Sequence, residues 1–213
     1  NMKMGDATLY VPNSLTINGG IHEIGSLPLE SGGKITFENN ANVTINGNCT
    51  LKGKLYLEYY YAIFEIKDAT VTINGDMTVF NGADIGSGYG TIKMTDESSI
   101  LRVYGNFCGS ANKPHEMTKG KVYIHGDFAG KTLNSQDLTI YVCGTETQSL
   151  QGEVSNIVLL NDIALADNFV VHCSYKNEGK TISLDGYTME LLTTDNEDVI
   201  TKTPGKVYIG TDN

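Results

Sequence analysis

The pentapeptide VTING occupies residues 43–47 and returns unchanged at residues 71–75, 28 residues later. A near copy, LTING, occupies residues 15–19. Apolar and polar residues alternate in each copy, which is the period of a β-strand. Because successive side chains of a strand point to opposite faces, we expect the apolar pair of each copy to face inward. The threonine and the asparagine then face outward, and Asn18, Asn46 and Asn74 are predicted to stack as a ladder.

A looser pattern of apolar–any–apolar–any–glycine continues along the chain. We assign a corner to each glycine that ends the pattern, because glycine permits the positive φ of a tight turn. The predicted corner positions are Gly19, Gly47, Gly75, Gly105, Gly126, Gly144, Gly186 and Gly210, and the last copy lacks the residue that precedes the glycine in the others. Their spacings are 28, 28, 30, 21, 18, 42 and 24 residues, and the spacing of 42 is twice 21, which suggests one degenerate copy.

Repeats of this length, built from short alternating strands, are typical of solenoids, in which stacking buries the apolar face of each unit. We therefore predict an all-β chain: a right-handed parallel β-helix of about eight coils, with roughly 18–30 residues per coil. Side loops are expected near residues 56–64 and 81–90, where the pattern breaks. Residues 1–213 are expected to form a single domain, a fragment of a longer secreted or surface protein.

The bulk composition disfavours several classes of partner. The net charge is −10 and the isoelectric point is near 4.8, so nucleic acid is a poor partner. No run of 18 apolar residues occurs, which argues against direct membrane insertion. The cysteines form no CxxC and no Cys/His cluster, so we expect free or buried thiols, with disulfides left open. They are Cys49, Cys108, Cys143 and Cys173.

We single out no catalytic, cofactor-binding or metal-ligating residue. Glycoside hydrolysis needs two carboxylates within roughly 10 Å of each other. Asp76 and Asp127 each follow a predicted corner glycine, but they belong to different coils. Solvated turn acids are the better interpretation, and we expect a protein without enzymatic activity and without a cofactor.

The predicted outward positions change in character along the chain, from threonine and asparagine to aromatic side chains. The candidate binding face consists of Tyr104, Tyr123, His125 and Tyr141. Exposed aromatic side chains with polar neighbours suit stacking on sugar rings or contact with a protein. The alternative is that outward tyrosines simply favour strands, or are covered by a loop.

Residues 142–162 (VCGTETQSLQGEVSNIVLLND), followed by residues 180–192 (KTISLDGYTMELL), resemble bacterial surface β-solenoids of the filamentous-haemagglutinin-like and autotransporter-passenger-like kinds. The resemblance covers about 50 residues and concerns an architecture rather than one protein. The matching positions are Gly144, Gln148, Leu150, Asn156, Ile157, Leu159, Asp185, Gly186 and Tyr187.

The resemblance implies a non-enzymatic structural or adhesive module of a bacterial cell-surface or secreted protein. Such a module is a stalk or a region that contacts host or glycan, and it also occurs in toxin-delivery filaments. The expected partner is a glycan or a protein on a cell surface. One alternative is a carbohydrate-active or carbohydrate-binding β-helix similar to polysaccharide lyases and hydrolases. A third is a scaffold that self-associates end to end.

Overall fold

The computed structural model describes residues 1–11, 13–30, 33–52, 62–79, 90–109, 115–132, 135–193 and 195–210. Within these ranges the protein is all-β, with twenty strands and no helix, which confirms the predicted class. The strands are β1 (Ser14–Asn18), β2 (Ile21–Ile24), β3 (Leu27–Glu30), β4 (Lys34–Ile45), β5 (Cys49–Lys52), β6 (Ala62–Ile73), β7 (Met77–Val79), β8 (Gly90–Met94), β9 (Ile100–Val103), β10 (Phe107–Cys108), β11 (Glu116–Met117), β12 (Lys119–Ile124), β13 (Phe128–Lys131), β14 (Asp137–Val142), β15 (Gln148–Leu159), β16 (Ile163–Asn177), β17 (Thr181–Ser183), β18 (Thr188–Leu191), β19 (Ile200–Thr201) and β20 (Lys206–Ile209).

The strands form one sheet that is not closed into a barrel. Every pairing among the described residues is parallel. A strand pairs with segments one repeat earlier and one repeat later, as β6 does with β4 and with β8. Parallel neighbours need a long connection between them, and here each connection is itself made of strands.

The pairings arrange the strands in three stacks. The VTING stack contains β2, the second halves of β4 and β6, then β9, β12, β14 and the ends of β15 and β16. The second stack contains β3, β5, β7, β10, the start of β13, the starts of β15 and β16, then β17 and β19. The third stack contains β1, the first halves of β4 and β6, then β8, β11, the end of β13, the middles of β15 and β16, β18 and β20.

The core is formed by the inward positions of all three stacks. Val43 and Ile45 are completely buried, and so are Val71 and Ile73 one repeat later, which confirms the predicted inward pair of both VTING copies. Burying such a side chain stabilises the fold by roughly 1.5–3 kcal/mol. No membrane-spanning helix of sufficient length and apolarity is found in the described ranges.

The LTING copy lies in a different stack from the one predicted. Leu15 pairs with Ile35 in the third stack rather than with Val43. The VTING stack is continued instead by β2, whose Ile24 pairs with Ile45. The alternation of apolar and polar residues is the same in all three stacks, so the alternation alone could not assign the copy to its stack.

The predicted corner glycines fall at more than one corner for the same reason. Five of them end segments of the VTING stack: Gly47, Gly75, Gly105, Gly126 and Gly144. The other three turn elsewhere: Gly19 and Gly210 follow third-stack strands, and Gly186 follows β17 in the second stack. The place predicted for Gly19 is taken by Gly25, whose carbonyl accepts the N–H of Gly47.

Close packing of backbones explains why the VTING corner requires glycine. Gly105 donates its N–H to the carbonyl of Gly75 at 3.1 Å, and Gly126 does the same to Gly105 at 3.1 Å. A Cβ on Gly105 would lie 2.6 Å from the Gly75 carbonyl, closer than a side chain tolerates. The predicted side loops near residues 56–64 and 81–90 lie largely outside the described residues.

Candidate functional site

Two columns of side chains project outward from the VTING stack, one from its strands and one from its corner. The strand column contains Thr44, Thr72, Arg102, Tyr123, Tyr141 and Val158. The corner column contains Asn46, Asn74, Tyr104, His125, Cys143 and Leu160. Both columns change from small polar residues to large ones at the same level, between Thr72 and Arg102.

In the strand column, the aromatic rings stack on one another. Tyr123 and Tyr141 lie face to face, with their ring centroids 4.7 Å apart and their planes within 12°. The guanidinium carbon of Arg102 lies 4.8 Å from the centroid of Tyr123. Since Arg102 precedes Tyr123 in the column and Tyr141 follows it, both faces of the Tyr123 ring are covered. Such stacking and cation–π contacts each contribute roughly 0.5–1.5 kcal/mol.

In the corner column, Tyr104 stacks on His125 with a centroid separation of 4.2 Å and an interplanar angle of 12°. The opposite side of the imidazole is approached by Cys143, whose Sγ lies 3.6 Å from His125 Nε2. Partial burial and the nearby charge of Arg102 lower the pKa of His125. The imidazole is therefore neutral at pH 7, and the stack consists of uncharged rings.

The structure brings all four predicted binding residues together in one surface, but it does not expose them equally. Tyr104 has 50% of its surface exposed, whereas Tyr123, His125 and Tyr141 are only partly exposed. One face of the Tyr104 ring lies on His125, and the other looks toward the shorter side chain of Asn74. Of the four residues, Tyr104 therefore offers an accessible ring face.

We use the name Tyr104 step for the level at which the side chains of both columns become larger. It consists of Thr72 and Asn74 on the lower rung and Arg102 and Tyr104 on the next rung. The two rungs directly below Arg102 and Tyr104 carry polar, uncharged side chains in both columns: Thr72 and Asn74, then Thr44 and Asn46. Asn74 donates from Nδ2 to Asn46 Oδ1 at 3.2 Å, which forms the upper part of the predicted ladder. Asn18 does not join this ladder, because its Oδ1 accepts a hydrogen bond from Asn39 in the third stack instead.

A second ladder, which we did not predict, runs along the residues that follow the corner glycines. The Oδ1 atoms of Asn48, Asp76 and Asn106 accept the backbone N–H of the equivalent residue one repeat later, at 3.0, 2.7 and 2.9 Å. Asp127 accepts the N–H of Ser149 at 2.7 Å in the same way. The carboxylates considered as glycosidase acids therefore hold the corner together. The sequence did contain a signal for this ladder: an Asn or an Asp directly follows each of four consecutive corner glycines.

Residues that carry the resemblance to surface β-solenoids also make structural contacts. Gln148 ends the series of hydrogen bonds between successive corner glycines. Its side chain accepts the N–H of Gly144 and donates to the carbonyl of Ile124 at 3.0 Å. Asn156 is almost completely buried and donates to the carbonyl of Leu138 at 2.6 Å. In both cases a side-chain amide bonds to backbone carbonyls of a neighbouring segment.

In the described ranges, the thiols and the remaining titratable groups form no further site. No disulfide joins the four cysteines. Burial raises the pKa of the Cys49 thiol and of the Cys143 thiol, so both are protonated at neutral pH. Across the part of the chain that the structure describes, no group of three or more His, Cys, Asp and Glu side chains is arranged to hold a metal ion.

Comparison with known proteins adds no relative. No family model matches the chain, and no curated protein or solved structure matches it either.

Proposed function

We propose that this chain is a right-handed parallel β-helix that serves as a non-enzymatic structural and adhesive module of a secreted or cell-surface bacterial protein. The parallel pairing of each segment with the segments one repeat before and after it supports the coiled path. In the VTING stack the rungs pass through Lys3, Glu23, Thr44, Thr72, Arg102, Tyr123, Tyr141, Val158, Lys176 and Asn196.

Counted over the described residues, this path has ten rungs rather than about eight, because the corner glycines do not mark rungs whose corner has another sequence. At about 4.8 Å between rungs, the first and last lie roughly 43 Å apart. A rigid body of this length, with every rung bonded to its neighbours, suits a stalk that holds a contact surface away from its attachment.

The observation that carries the adhesive role is the Tyr104 step. It presents an exposed aromatic face beside hydroxyl and amide groups on the outward side of the VTING stack. Exposed aromatic side chains with polar neighbours mark contact surfaces in soluble proteins, because they combine apolar area with hydrogen-bonding edges. The expected partner is a glycan or a protein on a cell surface.

An array of glycans and extracellular-matrix proteins tests this function. We expect the protein to bind at least one class, and Tyr104→Ala to lose that binding. Tyr187→Ala is the matched control, because Tyr187 is an exposed tyrosine on the turn between β17 and β18, away from the step. Binding that survives Tyr104→Ala, or no binding to any member, would contradict an adhesive role for this surface.

Two alternatives stay predictions. A carbohydrate-active protein would release reducing ends from a polysaccharide, which a reducing-sugar assay detects. End-to-end self-association would increase the sedimentation coefficient with protein concentration, which analytical ultracentrifugation measures.

A further inference from the structure

We propose that the Tyr104 step binds an acidic pyranose, a six-membered sugar ring that carries a carboxylate. This inference rests on the adhesive function proposed above and narrows it to a ligand class. The sugar ring lies on the open face of Tyr104, and its carboxylate pairs with Arg102.

The aromatic stack explains why the ligand binds at the step rather than along the ladder. Tyr123 lies between Arg102 and Tyr141, so a sugar cannot reach either face of its ring. Among the described residues, the stack of Tyr104 on His125 ends at Tyr104, because the next side chain of the corner column is Asn74. A pyranose ring with an apolar C–H face continues that stack by one more ring and buries apolar area on both partners.

The charge beside the step favours an anionic ligand. Arg102 is the sole arginine of a chain whose net charge is −10. It lies in the strand column one rung beyond Thr72, and its flat guanidinium is held in place by Tyr123. The nearest carboxylate of the same column, Glu23, is three rungs away, about 14 Å. A stacked guanidinium keeps its N–H edge for a carboxylate, which it binds in a planar, two-point geometry.

The floor of the step supplies partners for the sugar hydroxyls. Asn74 is exposed and bonded through Nδ2 to Asn46, and Thr72 is partly exposed next to it. Thr44 and Asn46 repeat the same pair one rung below, so a second sugar residue meets the same groups. Hydroxyl and amide groups both donate and accept hydrogen bonds, as the hydroxyls of a sugar require.

The test uses matched ligands that differ only in the carboxylate. Isothermal titration at 50 mM and 300 mM salt compares a galacturonic acid tetramer, a hyaluronan tetrasaccharide and sialyllactose with the methyl ester of each. The proteins are the wild type, Tyr104→Ala, Arg102→Gln and the controls Tyr187→Ala and Lys176→Gln. Lys176 is an exposed cation of the same strand column, four rungs beyond Arg102.

We expect the wild type to bind at least one acid roughly tenfold more tightly than its ester, and less tightly at the higher salt concentration. Tyr104→Ala weakens binding of the acid and the ester alike, by roughly tenfold. Arg102→Gln removes the preference for the acid and leaves the binding of the ester unchanged. Both controls bind as the wild type does, and far-UV circular dichroism verifies that every variant is folded.

Four results would overturn the inference, and the first three separate it from the broader function. Equal binding of an acid and its ester, lost in Tyr104→Ala, would refute the acidic ligand and leave the adhesive role standing. A preference for the acid that survives Arg102→Gln would refute the role of Arg102. No binding of these six ligands, together with binding of a matrix protein on the array, would refute a sugar site and keep adhesion. No binding in either the array or the titration would refute both proposals.

Discussion

His115 makes the stability of this fold sensitive to mild acid. Its side chain is 2% exposed and faces the interior of the third stack, next to Thr132 and edge-on to Phe107 at a centroid distance of 5.9 Å. Its Nε2 has no hydrogen-bond partner among the described residues. Burial lowers the pKa of His115 to about 4, from an ordinary value of 6.5.

The sign and size of the effect follow from linkage between protonation and folding. Between pH 6.5 and pH 4 the unfolded chain binds the proton at His115 and the folded protein does not. The free energy of unfolding therefore decreases as the pH falls through this window, and it recovers as the pH rises. From a folded pKa of about 4, the loss between pH 7.5 and pH 4.5 is about 2.5 kcal/mol.

Urea unfolding at pH 7.5 and at pH 4.5, followed by circular dichroism, measures the loss. The matched variant is His115→Leu, whose side chain cannot titrate. Carboxylates also titrate in acid: partial burial alone would raise the pKa of Glu65, but hydrogen bonds from Lys34 and Thr36 outweigh it and lower the pKa. Both proteins share this contribution, so the difference between them isolates His115.

We expect the wild type to lose about 2.5 kcal/mol more than His115→Leu over this pH interval. An equal loss in the two proteins would show that the imidazole is not buried as described. The result would then refute the placement of His115 in the core of the third stack.

Two further substitutions test the backbone contacts between rungs. Gly152→Ala is expected to cost more than about 3 kcal/mol, because a Cβ there would collide with the carbonyl oxygen of Gly130 at a φ of 110°. Gly179→Ala, at a φ of 72° in open space, should cost only about 1 kcal/mol, and equal losses in thermal unfolding would argue against the collision. Asn106→Ala removes the acceptor for the N–H of Asp127 and should cost about 1 kcal/mol in urea unfolding, whereas Asn106→Asp should retain the bond; identical stabilities of the two variants would contradict the ladder.

The two identical VTING segments were assigned to the correct stack from the sequence, whereas weaker copies were not. The two VTING segments pair residue for residue, because both the apolar pair and the corner glycine recur at the same interval. The LTING segment differs from VTING only in its first residue, but it pairs with residues 35–38 in the third stack. An apolar–polar alternation states which side chains face inward, and it does not state which of three stacks a strand joins.

The candidate site was predictable as a group of residues and not as a shape. The outward positions of successive strands identified Tyr104, Tyr123, His125 and Tyr141 as neighbours, and the rings do stack in pairs. Which ring face stays accessible depends on the size of the side chain on the adjacent rung. The sequence alone did not show that Asn74 occupies that place next to Tyr104. The Asn and Asp ladder could have been predicted, since only the spacing of the corner glycines is needed to align it.

The most direct test of one rung per repeat is a distance along the VTING stack. Ketone-bearing amino acids placed at residues 44 and 176 accept spin labels without involving the native cysteines. Double electron–electron resonance then measures the distance between the two labels. Thr44 and Lys176 are 132 residues apart in sequence and six rungs apart in the strand column. Stacked rungs predict a narrow distribution centred near 29 Å. A distribution centred beyond about 40 Å, or one with no defined peak, would contradict the stacked β-helix.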